Sequence, residues 1–269
     1  MEPELDLLAA LFPKLSAQLR MTLQNLQVSA ARLAPADRRE QDPALDLEAA
    51  RLDQSYYRLL RLTNSLTAAV WLDGKRPLRL QNRDLIELLH QVYDSVESLA
   101  RLKGLTIRLD CPQGRHLCAV DPEGLRQILY QLLSNALKFT PAGGVITLGL
   151  KLEQGKVRFS VTDNGPGVPP EQLNHLFDRD LTLESFTALP EQGLGLGLLL
   201  SQAIAQAHQG SLIMIPQTPG CRFVLSLPDL LTEDSGLSDV VFDYAGGFND
   251  ALMHLADAMP VEAFLLRNQ

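Results

Sequence analysis

LLSNALKF at residues 132–139, DNGPG at 163–167 and GLGLG at 193–197 are the stretches that decide how this chain of 269 residues is interpreted. Each is weak as an isolated motif, but their order, with helix and strand patterns between them, indicates a nucleotide pocket. The third stretch precedes an apolar helical pattern. Glycines before a helix N-terminus leave backbone N–H groups and the positive end of the helix dipole available to a polyphosphate.

The first two stretches place polar side chains where a ligand needs them. Asn135 lies on a predicted helix, and its amide oxygen suits Mg²⁺. Lys138 shares that face and presents a positive charge to phosphate. Asp163 ends a predicted strand, where its carboxylate is able to accept a hydrogen bond from the adenine amino group, while Gly165 and Gly167 permit close approach and positive φ. The alternatives are a helix asparagine bonded to nearby backbone, a solvated lysine and a plain Asx turn.

The region around these stretches alternates between helix and strand patterns. Helices are predicted over 84–101, from the Asp121-Pro122 start onward, and over 196–208. Alternating or β-rich runs predict strands at 105–109, 116–120, 145–151, 156–162, 211–215 and 222–227. Strands paired by hairpins with helices on one face make a two-layer α/β sandwich, so the fold class is α+β.

The N-terminal part has a different pattern. Residues 6–34 carry apolar residues every seven positions: Phe12, Leu19, Leu26 and Leu33. A polar break at 35–43 precedes a second periodic segment at 45–71. Two antiparallel helices leave an apolar face that either packs on the rest of the chain or pairs with a second hairpin in a four-helix bundle. We predict the homodimeric bundle.

The predicted organisation is a dimerisation hairpin at 1–71, a linker at 72–83, a nucleotide-binding sandwich at 84–228 and an extension at 229–269. The linker assignment rests on a glycine and a proline. In the extension, VVFDYAGGF is strand-like, and an amphipathic stretch carries its apolar residues on one face: Phe248, Leu252, Leu255 and Met259. This extension is interpreted as a packing element, with a docking surface as the alternative.

Composition argues against several classes of function. The net charge of −8 and the pI near 5.1 argue against nucleic acid or an anionic membrane as the main partner. Three cysteines without C-x-x-C spacing favour reduced thiols and a cytoplasmic location. The acidic N-terminus does not resemble a signal peptide, and no apolar run approaches the roughly 20 residues that span a bilayer.

Residues 84–228 resemble the ATP-binding domain of two-component histidine kinases, a Bergerat-type fold in the superfamily of gyrase, Hsp90 and MutL. The resemblance runs through four ordered blocks: Asn135; Asp163-x-Gly165-x-Gly167; Gly193-x-Gly195-x-Gly197; and His208-Gln209-Gly210 with Gly220-Cys221-Arg222-Phe223. It implies ATP and Mg²⁺ as cofactors. Hydrolysing relatives carry a glutamate where this chain has Gln131, which is unable to abstract a proton, so efficient self-contained hydrolysis is not expected.

The first helix departs from the family pattern. Residues 16–23, SAQLRMTL, resemble the kinase segment S-H-E-L-R-T-P-L in their scaffold positions. Ala17 stands at the phosphoacceptor histidine, Gln18 at the acid, and Met21 at the threonine or asparagine that places water. A methyl group is no nucleophile, and the chain has no histidine before His90. A chance match of a leucine-rich helix is the alternative.

Three functions follow from this combination. The first is a pseudokinase that binds Mg-ATP and signals through conformation, or a regulatory subunit. The second is an active kinase that phosphorylates a histidine in trans on a partner kinase or phosphotransfer protein. A response regulator is a further candidate partner. The third, a serine kinase acting on anti-sigma antagonists, shares the pocket but lacks a long helical hairpin, so residues 1–71 count against it. The sequence leaves open whether phosphate is transferred.

Overall fold

The computed structural model describes residues 2–72, 78–173, 176, 196–233 and 249–268. Within these ranges, helices cover a mixed sheet, an N-terminal helical hairpin packs against this helical layer, and a C-terminal segment packs against both the hairpin and the helical layer. None of the helices that the structure describes is both long and apolar enough to cross a membrane.

The hairpin consists of α1 (Glu2–Leu33), α2 (Ala36–Gln41) and α3 (Pro43–Leu72). Helices α1 and α3 pack side by side, with the hydroxyl of Ser16 donating to the carbonyl of Thr63 at 3.4 Å. The predicted polar break at 35–43 contains the short α2. Asp42, at the end of this break, caps the N-terminus of α3, because its Oδ1 accepts the N–H groups of Ala44 and Leu45 at 3.0 and 3.2 Å.

Seven strands are described: β1 (Gln81–Asp84), β2 (Thr106–Asp110), β3 (Leu117–Val120), β4 (Val145–Glu153), β5 (Lys156–Asp163), β6 (Ser211–Pro216) and β7 (Cys221–Pro228). Five of them form one sheet in the order β2-β4-β5-β7-β6, and β1 pairs with β3 in a separate ribbon. The β2–β4 pair is parallel, and the other pairs are antiparallel. Most predicted strand boundaries agree with these to within two residues.

Helices α4 (Leu85–Leu102), α5 (Pro122–Phe139), α6 (Pro170–Leu173) and α7 (Leu196–Ala207) complete the sandwich. The long α4 and α5 bury apolar stripes with helical spacing, as their sequence period predicts. Helix α5 packs on β5, so the helix that carries Asn135 lies over the strand that ends at Asp163. The predicted α+β fold, a helical hairpin followed by a two-layer sandwich, is confirmed.

The predicted linker at 72–83 is bounded by regular structure on both sides. Helix α3 ends at Leu72, and residues 81–84 form β1, paired in register with β3. The sequence QNRD lacks apolar alternation, so its strand depends on the partner that β3 supplies. Asp84 is the N-cap residue of α4, and its Oδ1 accepts the N–H of Ile86 at 3.1 Å.

The C-terminal segment contains α8 (Asp250–Leu255), followed by single turns of 3-10 helix at Val261–Phe264 and Leu266–Asn268. Leu252, Leu255 and Met259, three members of the predicted apolar face, are buried, and α8 packs against α3 and α5. Phe248 and the strand-like stretch VVFDYAGGF at 240–248 lie outside the described residues. The described part of the extension therefore packs against the hairpin and the sandwich.

Candidate nucleotide-binding site

Asp163 ends β5, and its carboxylate is held by two donors. Its Oδ1 accepts the N–H of Gly165 at 2.9 Å, which closes the DNGPG turn. Its Oδ2 accepts the thiol hydrogen of Cys221, the cross-strand neighbour in β7, at 2.9 Å. Burial, together with the adjacent carboxylate, raises the pKa of the Cys221 thiol to about 12, so the sulfur keeps its proton.

The turn around Asp163 is packed backbone to backbone. A Cβ atom on Gly220 would lie 1.9 Å from the carbonyl oxygen of Asp163, and Gly220 has a φ of 94°. Gly167, with a φ of 77°, lies against the carbonyl of Gly220. Asn164 Oδ1 accepts the N–H of Val145 at 2.7 Å and ties the turn to β4. Gly220 is therefore required for steric reasons, and the positive φ of Gly167 favours glycine there.

Helix α5 carries the other polar side chains of the predicted pocket. Asn135 and Lys138 are both half-buried and lie one turn apart. Asn135 Oδ1 accepts a hydrogen bond from Nε2 of Gln131 at 3.2 Å. The ammonium of Lys138 is 5.8 Å from the centroid of the Phe139 ring.

The DNGPG turn and α5 meet at the end of the helix. A Cβ on Gly165 would be 3.3 Å from the carbonyl oxygen of Phe139 and 3.5 Å from Cα of Thr140. The turn that contains Asp163 therefore abuts the last turn of the helix that carries Asn135. The structure thus brings the first two predicted blocks of the pocket side by side.

The third block is described only at its end. Gly193 and Gly195 lie outside the described residues, whereas Gly197 is in the first turn of α7. A Cβ on Gly197 would be 2.2 Å from the side-chain carbon of the Gln131 amide. Gly197 therefore allows α7 to approach the same face of α5 that presents Asn135.

Two residues near this face were missed by the sequence analysis. Arg61 of α3 donates from Nη2 to Gln131 Oε1 and from Nη1 to Ser134 Oγ, both at 3.1 Å. Its Nη1 is also 3.2 Å from Oδ2 of Asp257 in the C-terminal segment. Burial lowers the pKa of Arg61 and the Asp257 carboxylate opposes that shift. An arginine on an amphipathic helix gives no sequence signal for such a contact.

His208, a member of the fourth block, has a structural role. Its Nε2 accepts the N–H of Asp121 at 3.0 Å, and its Nδ1 lies 2.8 Å from the carbonyl oxygen of Ile204. This pattern fixes a neutral imidazole with the proton on Nδ1. The Asp121 side chain in turn accepts the N–H of Gly124, so His208 supports the start of α5.

The predicted phosphoacceptor segment lies on α1, away from these contacts. Ala17, Gln18 and Met21 are exposed, while Ser16 and Leu23 are buried towards α3. Arg20 Nη2 donates to Asn64 Oδ1 of α3 at 2.7 Å. The residues that differ from the kinase pattern therefore share the solvent side of α1, and most of the residues that match it pack against α3.

The sandwich has the features of a nucleotide-binding α/β fold. It combines a buried carboxylate at a strand end, glycine-lined turns beside it and an asparagine on the overlying helix. Residues 120–231 match the family described as histidine kinase-, DNA gyrase B-, and HSP90-like ATPase. Residues 120–231 therefore form a domain of this ATPase superfamily, and relatives named as sensory or histidine kinases, by sequence and by structure, support a two-component histidine kinase.

The similarity to individual proteins is partial. The adaptive-response sensory kinase SasA of Trichormus variabilis is 37% identical over 146 residues, which are 53% of this chain and 35% of that protein. Full-length ShkA, solved in complex with AMPPNP, is 28% identical with a TM-score of 0.62, covering 83% of this chain and 46% of that one. The nucleotide-free catalytic domain of histidine kinase ThkA is 25% identical with a TM-score of 0.50, covering 56% of this chain and 97% of that one. The chain spans about a third of the length of SasA.

Proposed function

We propose that the chain binds Mg-ATP but does not phosphorylate itself, and that it acts in two-component signalling as a pseudokinase or regulatory subunit. The observation that carries the proposal is Ala17, exposed on α1 at the position where the kinase pattern has its phosphoacceptor histidine. The proposed nucleotide pocket keeps Asn135, Asp163 and the glycines of the family pattern.

The adenine end of the pocket is assigned to Asp163, Gly165 and Gly167. A carboxylate that already accepts two hydrogen bonds is fixed in place before the ligand arrives, which lowers the entropic cost of binding. The AMPPNP complex of ShkA is a related precedent for nucleotide binding by this fold.

The phosphate end is assigned to Asn135, Lys138 and the glycine run at 193, 195 and 197. The donor set fits magnesium, because the amide oxygen of Asn135 accepts one hydrogen bond from Gln131 and keeps a second lone pair for a metal ion. Bound magnesium would neutralise charge on the phosphate oxygens. Lys138 and the N-terminus of α7 would add positive potential on the protein's side.

The hairpin is proposed to form a homodimer. Leu19, Leu26 and Leu33, the described members of the predicted heptad stripe, are 47%, 59% and 78% exposed in the single chain. Leu52 and Leu59 on α3 are also about half exposed. A stripe of this kind on paired helices is typical of a four-helix bundle formed by two hairpins. Light scattering of the purified chain tests this, and a monomer at micromolar concentration would contradict it.

The second candidate is a kinase that phosphorylates a histidine on a partner kinase or another phosphotransfer protein. It is favoured by the same pocket, since Asn135, Lys138 and Asp163 are all present although the acceptor histidine is not. A response regulator is the proposed downstream partner in either case.

Incubation of the purified chain with γ-labelled ATP and Mg²⁺ separates the two candidates. The pseudokinase predicts no acid-labile label on this chain or on an added partner. Label on the partner alone would support transfer in trans, and label on the chain itself would contradict the pseudokinase. Asp163→Asn should abolish nucleotide binding, so unchanged affinity would mean that the pocket is elsewhere.

A gain-of-function variant tests whether the missing nucleophile is the reason for inactivity. Ala17→His combined with Gln18→Glu restores both chemical groups at exposed positions, and Ala17→Gln with Gln18→Glu is the matched control without a nucleophile. Acid-labile label on the histidine variant alone would assign the defect to the hairpin.

A further inference from the structure

Arg61 joins the hairpin to the predicted metal-binding face of α5. We propose that Arg61 is a positioning residue for this face, acting through Gln131 on the amide of Asn135. This inference rests on the proposed binding of Mg-ATP, and it adds a residue from outside the nucleotide-binding sandwich to the site.

The first step is the contact of the guanidinium with α5. Gln131 and Ser134 are three residues apart, so their side chains lie on one face of the helix. Arg61 donates to both of them from different terminal nitrogens at 3.1 Å. A planar guanidinium spans two acceptors in a way that the single ammonium of a lysine does not.

The second step is the orientation of the Gln131 amide. A side-chain amide has an accepting end and a donating end, and the charged guanidinium takes the accepting oxygen. Nε2 of Gln131 is then directed at Asn135 Oδ1, 3.2 Å away. Because Nε2 is a donor only, this contact fixes Asn135 with its oxygen, the metal-ligating atom, on the side of Gln131.

Gln131 and Arg61 each have a further contact that holds them in place. The Gln131 amide lies against the backbone of α7, where a Cβ on Gly197 would be 2.2–2.4 Å from three of its atoms. Arg61 is itself held by Asp257 at 3.2 Å, and its side chain is only 16% exposed. Gln131 is therefore contacted both by Arg61 and by α7, and Arg61 is paired in turn with Asp257. Support of this kind is typical of residues that orient a metal ligand.

A role in domain packing alone makes a different prediction. Loss of a packing contact weakens the fold and affects nucleotide binding equally with and without magnesium. Loss of a positioning residue weakens specifically the gain in affinity that magnesium provides. The ratio of nucleotide affinity in excess Mg²⁺ to that in EDTA therefore distinguishes the two roles.

The experiment is a calorimetric titration of the full chain with a non-hydrolysable ATP analogue under both conditions. Arg61→Met should lower the affinity ratio about 10-fold. Its affinity in EDTA should stay within about twofold of the unmodified chain. Arg58→Met, an exposed arginine one turn away on the same helix, is the matched control and should leave the ratio unchanged.

Gln131→Met is the second variant, because it removes the link while leaving the pair of Arg61 and Asp257 in place. It should reproduce the loss, and it decides the question if Arg61→Met fails to fold by circular dichroism. An unchanged ratio in the folded variants, or an equal loss in both conditions, overturns the inference. If the unmodified chain binds no analogue in either buffer, the proposed function itself fails.

Discussion

The Cys221 thiol donates a hydrogen bond to the Asp163 carboxylate across 2.9 Å, within the turn assigned to adenine. The two residues are cross-strand partners in β5 and β7, and both are buried. With its pKa raised to about 12 by burial and by the carboxylate, the thiol keeps its proton and remains a hydrogen-bond donor to Asp163.

Removal of this donor should weaken nucleotide binding. Cys221→Ala leaves one oxygen of a buried carboxylate without its partner, at a cost of about 1 kcal/mol or roughly fivefold in affinity. Cys221→Ser retains a donor of similar size and should stay close to the unmodified chain. Calorimetry with an ATP analogue measures both. Equal affinity of the alanine variant would show that Asp163 is held by Gly165 alone.

Gly220 tests the steric requirement of the same turn. Gly220→Ala places a methyl group 1.9 Å from the Asp163 carbonyl oxygen, whereas Gly114→Ala at a similar φ of 101° meets nothing within 4 Å. Both variants carry backbone strain of roughly 1–2 kcal/mol. Only Gly220→Ala should lose a further 1–3 kcal/mol or so from overpacking. Urea unfolding compares them, and equal losses would contradict a steric role for Gly220.

Much of the sandwich follows from local pattern. The Asp121-Pro122 start of α5 and the Gln154-Gly155 turn between β4 and β5 are sequence signals whose chemistry acts within a few residues. The same holds for α4 and α5, because the 3.6-residue period of their apolar residues indicates both a helix and the face that it buries. These elements were therefore predictable without knowledge of the tertiary fold.

The features that were not predicted depend on distant partners. The strand at 81–84 is polar and forms because β3 pairs with it. Arg61 reaches α5 only because α3 packs against the sandwich, 70 residues away in sequence from Gln131. The Cys221 thiol reaches the Asp163 carboxylate only because β7 pairs with β5. No local pattern encodes these contacts, since each requires two elements to be docked first.

Arg39 joins the hairpin to the C-terminal segment. It is 9% exposed, lies 2.8 and 3.0 Å from carboxylate oxygens of Asp46 and Asp53, and donates to the carbonyl of Phe264 at 3.1 Å. Arg39→Met leaves two largely buried carboxylates without their cation, which should cost about 3–5 kcal/mol in the free energy of unfolding. Arg38 is exposed on the same short helix, so Arg38→Met is the matched control and should change little. Thermal and urea unfolding measure both variants.

The Arg39 variant should also loosen the C-terminal segment. Leu266 N–H donates to Asp46 Oδ1 at 3.2 Å, so the carboxylate that pairs with Arg39 also fixes the final turn. Hydrogen exchange should therefore increase at residues 261–268 in Arg39→Met before it does so in the sheet. Unchanged exchange there, together with unchanged stability, would mean that the segment is held by its apolar contacts alone.

His208 should make the stability of the sandwich depend on pH. Burial lowers its pKa from the ordinary value of 6.5, and its Nε2 is occupied as an acceptor for the Asp121 N–H. Above pH 6.5 the imidazole is neutral in both the folded and the unfolded chain, so the contribution of His208 to the free energy of unfolding is fully present. As the pH falls through 6.5 the unfolded chain binds a proton that the folded chain excludes, so stability decreases by up to about 1.4 kcal/mol per pH unit.

Urea unfolding between pH 7.5 and pH 5.5 should show this slope as a difference between the unmodified chain and His208→Gln. The variant should be less stable at neutral pH, but its free energy of unfolding should depend less on pH. His90→Gln, at an exposed position on α4, should keep the full slope. Identical slopes in the His208 variant and the unmodified chain would assign the pH dependence to other groups.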